Sequence, residues 1–115
     1  MARKKRILHL TLKKKWFDLV ASGKKICEYR EGKEYWRKRL LNDDGSNREF
    51  DEIHFRNGYG KDKPLCVVEW KGLGTWCFAD KGPQVAYGPH GEEYHHGDFQ
   101  IDLGKVLHLD NIQQD

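Results

Sequence analysis

From Arg6 to Leu12 the chain alternates. Leu8, Leu10 and Leu12 fall on one side and His9 and Thr11 on the other, the period-two pattern of a strand with one covered face. The period then changes. Trp16, Phe17, Leu19 and Val20 form an apolar stripe at three-to-four spacing, which predicts a helix over residues 13–22, with Thr11 as its candidate cap and Gly23 as its stop. Alternation resumes over residues 24–31. There Ile26, Glu28 and Arg30 are expected on one face and Cys27 and Tyr29 on the other, until Gly32 breaks the run. Residues 33–41, KEYWRKRLL, predict a short helix or helical turn, and 42–48, NDDGSNR, a turn.

The second half reads as strands and loops. Residues 49–56 predict a strand with Ile53 and Phe55 on one face against His54, and 57–64 a loop with a tight Asn57-Gly58 turn. Residues 65–70, LCVVEW, are the strongest core strand, and 73–78 a further short strand. Residues 79–98, punctuated by proline, glycine and histidine, predict a loop or a lid. From Phe99 the strand pattern returns, and this last strand is expected to close a small sheet beside the first. The total is a mainly β, α+β fold. Five to seven strands form a curved β-barrel, with short helices in the N-terminal third covering a cleft.

Composition narrows the class. At 115 residues the chain has material for one core, so a single domain over 1–115 is expected, with Met1 to Lys5 as a flexible basic lead-in. No run of eighteen apolar residues exists to span a bilayer, and the basic start lacks the continuous apolar stretch of a secretory signal. Cys27, Cys66 and Cys77, odd in number and widely spaced, suit a reducing, cytoplasmic setting and form no close pair for zinc. The net charge of +3 hides an asymmetry. Residues 1–41 hold fourteen Lys/Arg against four Asp/Glu, a net of +10, whereas 42–115 hold seven against fourteen, a net of −7. A polyanion would be drawn to the first third; the plainer reading is a solvated lysine-rich surface.

The chemistry-bearing stretch is 22–30, SGKKICEYR. Glu28 and Arg30 stand two apart in a strand, and Lys25 stands at its beginning. An acid and two bases so placed predict a cleft that welcomes an anion, or else an internal ion pair. Lys13, Lys14 and Lys15 crowd the first turn of the predicted helix, the end already positive, an arrangement that an anion would relieve and that splayed side chains would also tolerate. Tyr35, Arg37, Lys38 and Arg39 mix an aromatic with positive charge, as RNA contacts do, while Trp36 is expected in the core. His90, Glu92, Glu93, His95, His96 and Asp98 match no firm metal spacing, so no metal or other cofactor is assigned.

The run Gly23-x-Lys25-x-x-Glu28-x-Arg30 after a short amphipathic helix resembles the opening signature of the ASCH domain, a relative of the PUA domain. The later segments 51-DEIHF-55, Asn57-Gly58, 65-LCVVEW-70 and 101-IDLGKVL-107 extend the resemblance over residues 7 to 107. It implies a PUA-like β-barrel with a cleft between barrel and early helices, and RNA or nucleotide binding. One branch of the family hydrolyses N4-acetylcytidine with a lysine, a threonine and a glutamate. Its lysine falls on Lys25, but its threonine falls on Glu28, so the hydroxyl is absent here. Another branch cuts RNA with tyrosine, lysine and serine, of which only the lysine has a match.

Two function classes follow. In a binding module, Lys25 and Arg30 grip phosphate or a base edge. Glu28 accepts from a base amino group or holds Arg30, Lys13 to Lys15, Lys24 and Arg37 to Arg39 supply the non-specific pull, and Tyr35 is a further binding residue. In a hydrolase, Lys25 is the base and Glu28 shuttles a proton or positions water. A protein-interaction module is the third class, without a motif of its own.

Overall fold

The computed structural model describes residues 4–112. Residues 1–3 of the expected lead-in lie outside them, and Lys4 and Lys5 are exposed. The elements are β1 (Ile7–Thr11), α1 (Lys14–Ala21), β2 (Cys27–Arg30), α2 (Glu34–Leu40), β3 (Glu52–Arg56), β4 (Leu65–Thr75), β5 (Val85–Tyr87), β6 (Glu93–His95) and β7 (Phe99–Asp110). The fold is mixed α+β. Five strands pair in the order β1-β3-β4-β7-β2, β5 and β6 form a separate pair, and both helices lie in the first third of the chain. Among the described residues no helix is long and apolar enough to cross a membrane. The chain divides into two units, one built from the segments up to Ile26, Glu49–Lys71 and from Leu103 onward, the other from Cys27–Arg48 and Gly72–Asp102.

In the first unit β1 runs parallel to β3, with Leu8 opposite Ile53 and Leu10 opposite Phe55. β3 runs antiparallel to β4, with Ile53 opposite Val68 and Phe55 opposite Cys66. The leucine face of β1 is buried as its alternation predicts, and so are Ile53 and Phe55. α1 buries Phe17 and Val20 from its apolar stripe. Each such side chain contributes roughly 1.5–3 kcal/mol relative to exposure. Gly23, at φ +79°, ends α1 by donating its N–H to the Val20 carbonyl at 3.0 Å.

In the second unit β2 lies antiparallel to the start of β7, from Cys27 opposite Asp102 to Arg30 opposite Phe99. β5 and β6 form a hairpin. Tyr29 and Tyr94 stack in parallel at 4.5 Å, and Trp76 tilts onto Tyr94 at 4.9 Å while its indole N–H donates to Gln100 at 2.9 Å.

Five expectations need correction. Thr11 does not cap α1: it is still in β1, paired with Arg56, and the cap position is Lys13, whose side chain makes no capping bond. The second strand starts at Cys27, not Lys24. The Lys25 N–H is drawn back to the Leu19 carbonyl at 3.0 Å, so the chain is still leaving α1. Ile26, expected on the face of Glu28 and Arg30, is therefore 69% exposed, while Lys25 is only 2% exposed. The short strand at 73–78 is instead the end of β4, which runs on through Gly72 and Gly74 to Thr75. Residues 79–98 hold the β5–β6 hairpin, closed where the Gly88 N–H donates to the Glu92 carbonyl at 2.7 Å. Finally, β7 does not close onto β1. It lies between β4 and β2, and the hydrogen-bonded order ends at β1 and β2.

Candidate functional site

In the second unit a cavity of about 550 Å³ opens beside the end of β2, with Tyr29, Arg30, Gly32, Lys33, His95 and Asp98 among its lining residues. Arg30 is its most constrained cation. Its side chain is 15% exposed and forms an ion pair with Glu28 Oε2 at 3.4 Å. One guanidinium nitrogen donates to the Tyr29 carbonyl at 2.8 Å, and the guanidinium lies 5.2 Å from the centre of the Trp36 ring. A cation held over an indole, ion-paired and tethered at one nitrogen, has little rotamer freedom left to lose when it meets a planar or anionic guest. Glu28 is buried, and its Oε1 accepts the Tyr29 N–H at 2.8 Å. The pair therefore sits on one strand, as its two-residue spacing implies. Burial, then the hydrogen bond with Cys27, raises the Tyr29 pKa above its ordinary value, so the phenol stays protonated.

Asp98 also lines this cavity. Its two oxygens accept the N–H groups of Gly32 at 3.0 Å and His95 at 2.8 Å. A Cβ on Gly32 would run into the Gly97 carbonyl oxygen, so the two backbones meet there with no room for a side chain. Glu92, also buried, accepts the His90 N–H at 2.7 Å. Glu92 and Asp98 thus tie down backbone in this segment. Among the described residues no group of three His, Cys, Asp or Glu is arranged to hold a metal ion. The signal for this role was local: each carboxylate lies two or three residues beyond an N–H that it accepts, reaching back along the chain as the acidic member of a capping box does.

α2 carries a cluster of exposed positive charge in this unit. Arg37, Lys38 and Arg39 form its last turn, where the helix dipole favours cations. Arg37 donates to the Gly32 carbonyl at 2.9 Å, and Arg39 stacks on the half-exposed Tyr35 at 3.6 Å. Trp36 is half-buried, the support of Arg30 more than a core residue.

Lys25 belongs to the first unit. It lines a cavity of about 510 Å³ with Ser22, Gly23, Leu103 and Lys105, and its ammonium lies 5.7 Å from the Trp16 ring. Lys24 is exposed. Of the three lysines at the start of α1, Lys14 pairs with Asp18 at 2.8 Å and Lys15 lies 4.6 Å from the Trp16 ring, while Lys13 is exposed. Part of the expected anion-seeking charge is thus directed at α1's own side chains. Sequence reasoning did not single out Asp98, His95 or Gly32 as a wall. Charged side chains line a cavity in each unit.

Set against protein-family models, curated proteins and solved structures, the chain finds no match.

Proposed function

We propose that the chain is an RNA- or nucleotide-binding module of the ASCH type. What carries this reading is Arg30, held over the Trp36 ring at the wall of a polar cavity in the unit whose helix exposes Arg37, Lys38 and Arg39. Arg30 recognises a phosphate or a base edge, and the α2 cations add the sequence-independent pull of a basic surface. The stacked Tyr35–Arg39 pair offers a platform for an unstacked base. The strand and helix order supports the PUA-like comparison, while family membership remains part of the proposal.

The test is binding of a short fluorescent single-stranded RNA across a salt series. Replacing Arg37, Lys38 and Arg39 together by Ala lowers the slope of log affinity against log salt by about 2, at roughly 0.7 per phosphate contact. Arg30→Ala weakens binding with a slope change of less than about 1. No binding at low salt sinks the reading.

A second reading is favoured by one observation, the buried Lys25 amine on the wall of its own cavity. In that reading Lys25 is the base of a hydrolase acting on a modified nucleoside or on RNA. Turnover of N4-acetylcytidine or cleavage of RNA, abolished in Lys25→Ala with RNA binding retained, would select it over the binding module.

A further inference from the structure

A second cavity of the first unit, about 330 Å³, lies beside β1 and β3 and is lined by His9, His54, Arg56, Tyr59 and Lys61 with no carboxylate among its lining residues. The two imidazoles meet edge to face at 5.3 Å. They face one another because β1 and β3 run parallel with His9 directly opposite His54, on the side away from the leucines. His54 is oriented from behind by Glu52, which meets its Nε2 at 2.9 Å and is itself paired with Lys5 at 3.5 Å. Arg56 donates to the carbonyls of Lys61 and Lys63 at 3.1 and 2.8 Å, so one guanidinium shapes the loop that brings Tyr59 and Lys61 to the rim. Tyr59 is 86% exposed, a large ring held out in water.

We infer that this cavity is a nucleotide site, in which the His9–His54 pair, Arg56 and Lys61 take a phosphate and Tyr59 stacks on the attached base. Like charges gathered at one cavity repel each other when it is empty, and an entering anion converts that repulsion into attraction. His9 records the effect. Partial burial and the nearby His54 and Arg56 hold its pKa below 6.5. The groups facing it are His54 and Arg56 from β3 and Lys61 and Tyr59 from the loop, with Glu52 behind His54. A bound phosphate opposes the positive charge gathered there, so binding draws a proton onto His9. Tyr59 selects a ligand with a planar ring over a bare anion.

The test uses the full chain, following imidazole resonances by NMR through a pH titration alone, with adenosine monophosphate and with inorganic phosphate. The nucleotide moves the His9 midpoint up by about one pH unit. His9→Asn weakens nucleotide binding. Tyr59→Ala and Lys61→Ala, both on the exposed loop, weaken nucleotide binding without touching the sheet. Tyr59→Ala leaves inorganic phosphate unaffected. Arg30→Ala leaves the site intact, so it stands or falls apart from the RNA-binding proposal. Unmoved imidazole resonances overturn the inference, as does nucleotide affinity undiminished by His9→Asn. Inorganic phosphate binding as tightly as the nucleotide overturns the assignment of the ring.

Discussion

Replacing Gly32 by Ala tests whether the wall of the Arg30 cavity is built on backbone contact. A Cβ there would meet the Gly97 carbonyl oxygen, with the Gly97 carbonyl carbon 2.6 Å away and the Asp98 nitrogen 3.3 Å away. None of these atoms is a flexible side-chain end that can swing aside. Overpacking of this kind costs about 1–3 kcal/mol. Relief by moving the Gly97 turn would break the Gly32 N–H bond to the buried Asp98 carboxylate, a charge-assisted bond worth about 1.5–3 kcal/mol. The two penalties are alternatives in part, so the expected loss is about 3 kcal/mol, or ~12 °C in Tm for a chain of this size. Gly23→Ala is the control. Gly23 has φ +79° and nothing within 4 Å of its added Cβ, so only the backbone conformation resists, at about 1 kcal/mol. Urea and thermal unfolding of both variants measure the difference. A Gly32→Ala protein as stable as Gly23→Ala would refute the close approach, and with it the account of how this wall is fixed.

Other outcomes follow from the same geometry. Arg30→Lys keeps the charge but loses the guanidinium contact with the Trp36 ring and the tether to the Tyr29 carbonyl; we expect a loss of about 1 kcal/mol in urea unfolding and weaker RNA binding at constant salt. In phosphate-free buffer, stability falls as the pH drops below 6.5. The folded state resists protonating His9 while the unfolded chain accepts the proton, so His9→Asn flattens the urea midpoint across that window. Glu52, whose pKa is held low chiefly by the His54 hydrogen bond, adds stability above 4.5 that is lost as the pH falls through its lowered value; Glu52→Gln should remove this more acidic part of the profile. Thiol reagents at mildly alkaline pH should modify the exposed Cys77 in the native protein and spare Cys66, whose burial raises its pKa to about 11, until urea unfolds the chain; mass spectrometry of the modified sites reads this out.

Much of the fold was legible because several elements carry one clear period. The leucines of β1, the Ile53–Phe55 pair of β3 and the Phe99–Ile101–Leu103 run of β7 alternate cleanly, and all are buried. The stripe of α1 and the helical tendency of residues 33–41 were visible for the same reason. Pairing was not legible, because alternation gives a strand its faces without naming its neighbours. Nothing in residues 99–110 marks them as lying between β4 and β2 instead of beside β1. The hairpin of 79–98 was hidden by length. Each of its strands has three residues, too few to display a period among so many turn-forming ones.

The candidate chemistry shows where such reading stops. Residues 24–26 look like the start of an alternating strand, and on that basis Ile26 belongs with Glu28. A backbone bond from Lys25 to Leu19 keeps them in the exit from α1 instead, so a lysine is buried and an isoleucine faces water. Transfer free energies alone would reverse the two, since burying an ammonium costs far more than exposing an aliphatic side chain. Local pattern therefore located the charged run but not the wall on which each charge stands. Arg30 draws its definition from Trp36 and the Tyr29 carbonyl, and its cavity from Asp98 and the Gly32–Gly97 approach. His9 and His54 show the same limit from the other side. Each looks like an ordinary strand histidine in sequence, and only the parallel register of β1 and β3 makes them a pair. In this chain a site is created when hydrogen-bond register brings together side chains that are individually unremarked.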